Sequence, residues 1–330
     1  MPVEQQVAES VLEARGISRE FAVRTKGGRK GVLSAVHALD IMVGASEIVG
    51  VVGESGCGKS TLGRVLGGLH KPTAGTITYG GKAIDEMSTR EYDQYRRDVQ
   101  FVFQDPMASL DPRFTVRRIL LEGISTRGMS RSEQDDLAAS ALSKVGLPTD
   151  ILSRRPHEFS GGQKQRIGIA RALIRNPKVI IADEPVAALD VSLQARVVNL
   201  LVDLQRAEGL SLLFISHNLS VVGYLADRVV VMYLGTIVEE GATADVLSAP
   251  KHPYTRALLA AVPTMGADGD EHKDAVISGE LPSPLDPPPG CRFSPRCPFA
   301  VARCFTEEPV RRTVGTTTVA CHRAEELPAW

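Results

Sequence analysis

Gly53-Glu54-Ser55-Gly56-Cys57-Gly58-Lys59-Ser60-Thr61 reads G-x-x-x-x-G-K-S-T, the spacing of a phosphate-binding loop. Upstream, Glu47-Ile-Val-Gly-Val-Val52 is a short apolar run suited to a buried strand. Downstream, Thr61-Leu-Gly-Arg-Val-Leu-Gly-Gly-Leu69 opens as a helix. Strand, glycine loop and helix are the context the spacing requires. Lacking Cβ atoms, Gly53, Gly56 and Gly58 let successive backbone amides converge on phosphate oxygens. The helix N-terminus adds its partial positive charge. Lys59 supplies a full charge for the β- and γ-phosphates, and Ser60 a hydroxyl for Mg²⁺. Ser55, Cys57 and Thr61 complete the candidate nucleotide cradle. The competing reading, a glycine-rich turn of an unrelated α/β fold, is disfavoured by Lys59 and Ser60 standing in register.

Composition suits a cytosolic nucleotide-binding protein. A length of 330 residues allows one large domain or two ordinary ones, and a hydrophobic fraction of 43% fills a globular core. No run of 18 or more uncharged apolar residues is present, so no membrane span is expected. Met1-Pro-Val-Glu-Gln-Gln6 lacks a basic region followed by an apolar one, so no secretory leader is expected. Thirty-eight basic against 39 acidic residues leave a net charge of −1. That balance argues against a general nucleic-acid binder. Of five cysteines, Cys57 lies in the loop, and Cys291, Cys297, Cys304 and Cys321 crowd the last forty residues. In a cytosolic chain such a cluster suggests metal before disulfides.

Along the chain, Val11 to Arg15 and Val36 to Val43 read as strands on either side of a polar turn at 25–31. Phe21, just before that turn, is a core residue or an adenine-stacking aromatic. A break at Lys71-Pro-Thr-Ala-Gly75 precedes a strand at 76–79. Val99-Gln-Phe-Val-Phe103 is a buried strand ending at Gln104, where a glutamine reaches a metal-bound water or a phosphate. Residues 115–150 are helical by pattern, with an acidic first turn at Ser132-Glu-Gln-Asp135 and a stop at Gly146. Phe159-Ser160-Gly161-Gly162-Gln163 opens another helix, with amides free for an anion. Val179-Ile-Ile-Ala-Asp183-Glu184-Pro185 is a buried strand ending in adjacent carboxylates. Asp183 is placed to hold Mg²⁺, and Glu184 to polarise an attacking water. Leu212 to His217 is a further apolar strand with a polar tip. Ligands of open parallel sheets bind beyond the carboxyl ends of strands, which makes His217 a γ-phosphate contact.

Taken together, these elements resemble the ATP-binding subunit of ABC transporters, from about residue 11 onward. The resemblance rests on the phosphate loop, a glutamine loop at Gln104, the signature 159–163, Asp183 and Glu184, Ala188-Leu-Asp190, and His217. It implies an α/β phosphate-loop NTPase: a RecA-like core, an antiparallel β subdomain, a helical signature subdomain at about 105–175, and a small Cys-rich C-terminal extension. The nucleotide-binding domain would span 1–248 and the extension 249–330. The resemblance makes Phe21 the adenine-stacking aromatic and Asp190 part of the loop that communicates across a dimer. Phe159 stands where Leu is usual, and Ala187-Ala188 replaces the common Ser-Ala. Within the group the chain is most similar to oligopeptide/dipeptide importer ATPases. The stretches 103–112, 156–166 and 252–259, with the proline-rich 282–289, carry that similarity.

The resemblance implies two ATPs held head to tail between two related ATPase subunits, each between one phosphate loop and the partner's Ser160-Gly161-Gly162-Gln163 region. Mg²⁺ would be held by Ser60, Gln104 and Asp183. Implied partners are a homologous second ATPase, two membrane permeases and an extracytoplasmic binding protein, with this chain on the cytoplasmic face of the membrane. Nickel or glycosides are alternative cargoes to peptides, and a soluble ABC ATPase acting on DNA or ribosomes is the alternative class. The spacing C-x5-C-x6-C-x16-C favours an iron–sulfur cluster over a zinc ribbon. Some ATPases of this type carry a [4Fe–4S] cluster there, so that cluster is expected, with zinc or four unligated thiols as alternatives. A metal would also supply stability that a short proline-rich segment lacks.

Overall fold

A computed structural model describes residues 10–24, 28, 30–105, 109–262, 280–328 and 330. The expectations at 1–6, most of the turn at 25–31, and 106–108 of the glutamine-loop stretch lie outside these residues. In chain order the strands are β1 (Ser10–Arg24), β2 (Lys30–Gly44), β3 (Ile48–Val52), β4 (Ala74–Tyr79), β5 (Lys82–Ala83), β6 (Val99–Val102), β7 (Val179–Asp183), β8 (Ser211–Ser216), β9 (Arg228–Tyr233), β10 (Thr236–Ala242), β11 (Arg312–Val314) and β12 (Thr317–Val319). The helices are α1 (Lys59–Leu66), α2 (Thr89–Asp98), α3 (Val116–Leu121), α4 (Arg131–Lys144), α5 (Gly161–Leu173), α6 (Val191–Glu208), α7 (Leu219–Leu225), α8 (Thr243–Ser248), α9 (Pro253–Ala260) and α10 (Ala302–Thr306). The chain forms two compact units.

One unit comprises the described residues up to Leu12, with Val43–Glu47 and Tyr79–Ile215. Its strands β6, β7 and β8 run parallel, with Val102 paired to Ala182 and Asp183 to Ile215. Every residue of β7 and β8 is buried, as expected where both faces of a parallel sheet are covered. Helices α3, α4 and α5 pack on one another. Where the sequence pattern suggested helix throughout 115–150, the chain breaks between α3 and α4, with Gly123 and Gly128 at positive φ. The N-terminus of α4 is Ser130 rather than Ser132. Ser130 and Glu133 form a reciprocal capping box there, which outweighs the acidic turn that followed it in sequence.

The other unit comprises Glu13–Met42, Ile48–Thr78 and Ser216–Trp330. Strands β2, β1 and β4 lie side by side in that order. A second sheet is built outward from β3, which pairs parallel with β9. Strand β9 is antiparallel to β10, β10 to β12, and β12 to β11. The C-terminal hairpin therefore extends the sheet that carries β3, with Glu239 opposite Val319. Tyr233, Tyr254 and Phe293 pack edge-on or steeply tilted to one another, with ring centroids 4.7 to 5.5 Å apart. These rings join β9, α9 and the cysteine-bearing segment in one core.

Candidate nucleotide-binding site

Strand β3 delivers the chain into the loop, and two glycines make the turn possible. Gly53 has φ 154°, and a Cβ there would lie 2.2 Å from the carbonyl oxygen of Met232. Gly58 has φ 105°, and a Cβ would lie 2.0 Å from that of Ala35. No side chain fits either place. Gly56 is also in the left-handed region, at φ 81°, and it and Ser55 are exposed. Cys57 is buried; burial pushes its thiol up, although Lys59 pulls the other way. Lys59 is only 5% exposed. Its ammonium donates to the carbonyls of Gly53 at 2.8 Å and Glu54 at 3.0 Å, so a full positive charge sits folded over the loop. Ser60 and Thr61 lie half-buried in the first turn of α1.

Three residues that the motif does not specify brace this loop. The Glu54 amide donates to the Tyr254 hydroxyl at 2.8 Å. Arg296 donates to both Glu54 carboxylate oxygens, at 2.8 and 3.1 Å, and approaches the Tyr233 hydroxyl at 3.4 Å. Burial works against the guanidinium's charge, but the bonds to Glu54 and Tyr233 outweigh it and raise its pKa. Sequence reading passed over all three. They come from segments far from the loop, and Tyr254 entered the sequence reading only as part of the 252–259 stretch. In the same unit Phe21 is half-buried on β1, edge-on to His70 at 5.8 Å and under Arg19 at 4.6 Å. His217 is an exposed residue directly following β8.

Within the other unit, the register of β6 and β7 sets Gln104 and Glu184 each two residues past a paired position, beyond the carboxyl ends of these parallel strands. Gln104 is exposed and Asp183 is fully buried. Glu184, 8% exposed, leaves β7 at φ 47°, with its amide donating to Ile215 at 2.9 Å. A glutamate in the left-handed region is uncommon, and such strain concentrates at functional positions. Ser160 caps α5. Its hydroxyl accepts from the Gln163 amide at 3.3 Å, while the Gln163 side chain accepts from the Ser160 amide at 3.0 Å. Ser160 and Gly161 stay exposed at the helix start, whereas Gly162 packs under Leu193. Asp190 caps α6, accepting from the Leu193 amide at 2.9 Å and from Ser192 at 2.8 Å. Those bonds, the Leu193 amide first, hold its carboxyl below the usual range.

The expectation of a [4Fe–4S] cluster, or of zinc, is overturned. Among the described residues no group of three or more His, Cys, Asp or Glu side chains is disposed to hold a metal ion. Cys291, Cys297, Cys304 and Cys321 do line one small hollow with Pro253, Phe293 and Phe299, but all are free cysteines. Burial pushes the Cys291 thiol up to about 12 and the Cys297 thiol up to about 11. Spacing misled because it ignored how the segment is stabilised. Aromatic packing and the β12 pairing supply the cohesion that a metal was invoked to provide.

For Mg²⁺, the Ser60 hydroxyl and the Asp183 carboxylate are the hard oxygen donors that this ion prefers. Among known families, the ABC transporter model matches residues 36–187 and the oligopeptide/dipeptide transporter C-terminal region matches 238–304. A putative peptide import ATP-binding protein of Brucella ovis is 47% identical over 305 residues, covering 92% of this chain and 94% of that protein. The oligopeptide transport ATP-binding protein OppF of Escherichia coli is 50% identical over 298 residues, 89% of each chain. Among solved structures, the dimeric ATP-binding cassette MJ0796 in a post-hydrolysis state bound to ADP and Pi superposes with a TM-score of 0.61 at 27% identity, covering 70% of this chain and 98% of that one.

Proposed function

The chain belongs to the ABC transporter ATP-binding family, in its oligopeptide/dipeptide branch, and is an ATPase; from that premise we propose that it powers peptide import as a peripheral subunit at the cytoplasmic face of a membrane. The observation that carries this reading is one chain joining an ABC match at 36–187 to the oligopeptide/dipeptide C-terminal region at 238–304. Among the described residues no helix is long and apolar enough to cross a membrane, so the family's permease partners provide the path. A related second ATPase subunit and an extracytoplasmic peptide-binding protein complete the assembly.

In this reading the loop amides and Lys59 bind the β- and γ-phosphates, and Phe21 stacks on adenine. Ser60, Gln104 and Asp183 would hold Mg²⁺, which would supply positive charge to offset that of the phosphates. Glu184 orients a water and draws off its proton as the water oxygen attacks the γ-phosphorus. The bond to the β–γ bridging oxygen then breaks, and ADP departs. His217 contacts the γ-phosphate. Ser160, Gly161 and Gly162 close on the nucleotide of the partner subunit, with Asp190 in the communicating loop. ATP thereby favours the closed dimer through contacts made only there. The test is reconstitution of the chain with its permeases and binding protein in vesicles. Peptide should stimulate ATP hydrolysis and accumulate inside. Stimulation by nickel or a glycoside but not by peptide would sink the cargo assignment.

A further inference from the structure

The loop's second residue, Glu54, is an electrostatic liability. A carboxylate within a loop that receives a polyanionic triphosphate repels it. The structure answers that charge from outside the motif. Arg296, its side chain only 9% exposed, meets Glu54 with two parallel hydrogen bonds of 2.8 and 3.1 Å. Such forked, charge-assisted pairs are the stronger and more directional kind. The remaining guanidinium nitrogen, Nε, is buried and has no hydrogen-bond partner among the described residues. The guanidinium's other contact is the Tyr233 hydroxyl at 3.4 Å, so Glu54 is the carboxylate that offsets the desolvation of its charge. Glu54 is gripped at its other end as well, since its amide is taken by the Tyr254 hydroxyl at 2.8 Å. Both grips come from beyond residue 250, and the packed rings of Tyr233, Tyr254 and Phe293 tie them together.

We propose that Arg296 is a positioning residue for nucleotide binding: it neutralises and holds Glu54, so that the C-terminal segment sets the affinity of the phosphate loop for ATP. This rests on the loop being the nucleotide site. The test is calorimetric titration of the full chain with Mg–ATP, comparing the parent with Arg296→Met, Arg296→Lys, Glu54→Gln and the Arg296→Met/Glu54→Gln double variant. Arg296→Met should weaken binding about tenfold, the order of one uncompensated charge acting at short range. The loss should shrink as salt rises. Arg296→Lys should fall between, and Glu54→Gln should bind at least as well as the parent. The double variant should return close to the parental affinity, because no carboxylate is left to neutralise. A purely structural role for Arg296 would leave the double variant as weak as Arg296→Met, and that result overturns the proposal. So does an Arg296→Met chain that binds like the parent. A parent that binds no Mg–ATP removes the nucleotide reading itself and the proposal with it.

Discussion

Lys59 and Glu184 are single groups whose replacements separate binding from chemistry. The Lys59 ammonium already spans the loop through the Gly53 and Glu54 carbonyls. Lys59→Ala should therefore lose its charge-assisted bonds to phosphate and weaken ATP binding by roughly a hundredfold, read by nucleotide titration. Glu184→Gln keeps the shape but not the basicity. Its turnover should fall about 10²- to 10⁴-fold while ATP still binds, and parental turnover would show that another group activates the water. His252 makes a pH prediction. It is fully buried, its Nδ1 accepts from the Tyr254 amide at 3.0 Å, and burial lowers its pKa to about 3. The folded form thus binds its proton later than the unfolded chain does. This contribution is intact above the unfolded histidine value and is lost as pH falls below it. Between pH 6.5 and 5 the parent should lose about 2 kcal/mol relative to His252→Gln, by denaturant titration at each pH. Glu239, whose buried carboxyl is pushed up, works in the opposite direction in both proteins and cancels from the difference.

Strands and helices in this fold are stabilised at their ends as much as along their length. Strand β3 enters the phosphate loop only because Gly53 and Gly58 accept conformations and contacts closed to other residues. Gly58→Ala should cost about 1–3 kcal/mol through backbone strain alone, before the clash with Ala35, and should lower the melting temperature. The Ser160 cap on α5 serves twice. It satisfies an amide of its own helix, and it stands exposed where the proposed dimer meets a nucleotide. Ser160→Ala should cost about 1 kcal/mol of stability and lower hydrolysis in the assembled transporter further than that stability loss explains. If only stability changes, the serine is a cap and nothing more.

The whole molecule carries its C-terminal segment as part of a sheet rather than as an attachment. Strand β12 covers β10, and Phe293 completes the ring cluster on Tyr233 and Tyr254. Truncation after residue 290 should expose the β10 edge and that apolar cluster. The shortened chain should aggregate on size-exclusion chromatography, and a monodisperse, fully stable product would show the segment to be dispensable. In the proposed dimer each site is completed by a second subunit. ATP hydrolysis per chain should therefore rise with protein concentration, and a rate independent of concentration would count against the sandwich.

What the sequence determined by itself was the set of local structures whose causes are local. The glycine loop after an apolar strand, the Ser160 start of α5 and the carboxylates ending β7 are each written in neighbouring residues, because backbone freedom, capping and burial act over a few positions. They were enough to place the chain in its family. The tertiary structure alone decided what depends on residues far apart. Pairing Glu54 with Arg296 and Tyr254 joins positions some two hundred apart in sequence, and no local pattern encodes such a meeting. The four cysteines show the converse. Their spacing suggested ligands, but among the described residues no group of three or more His, Cys, Asp or Glu side chains is disposed to hold a metal ion; the four instead line a small hollow with Phe293, Phe299 and Arg323, and burial pushes the Cys291 and Cys297 thiols up.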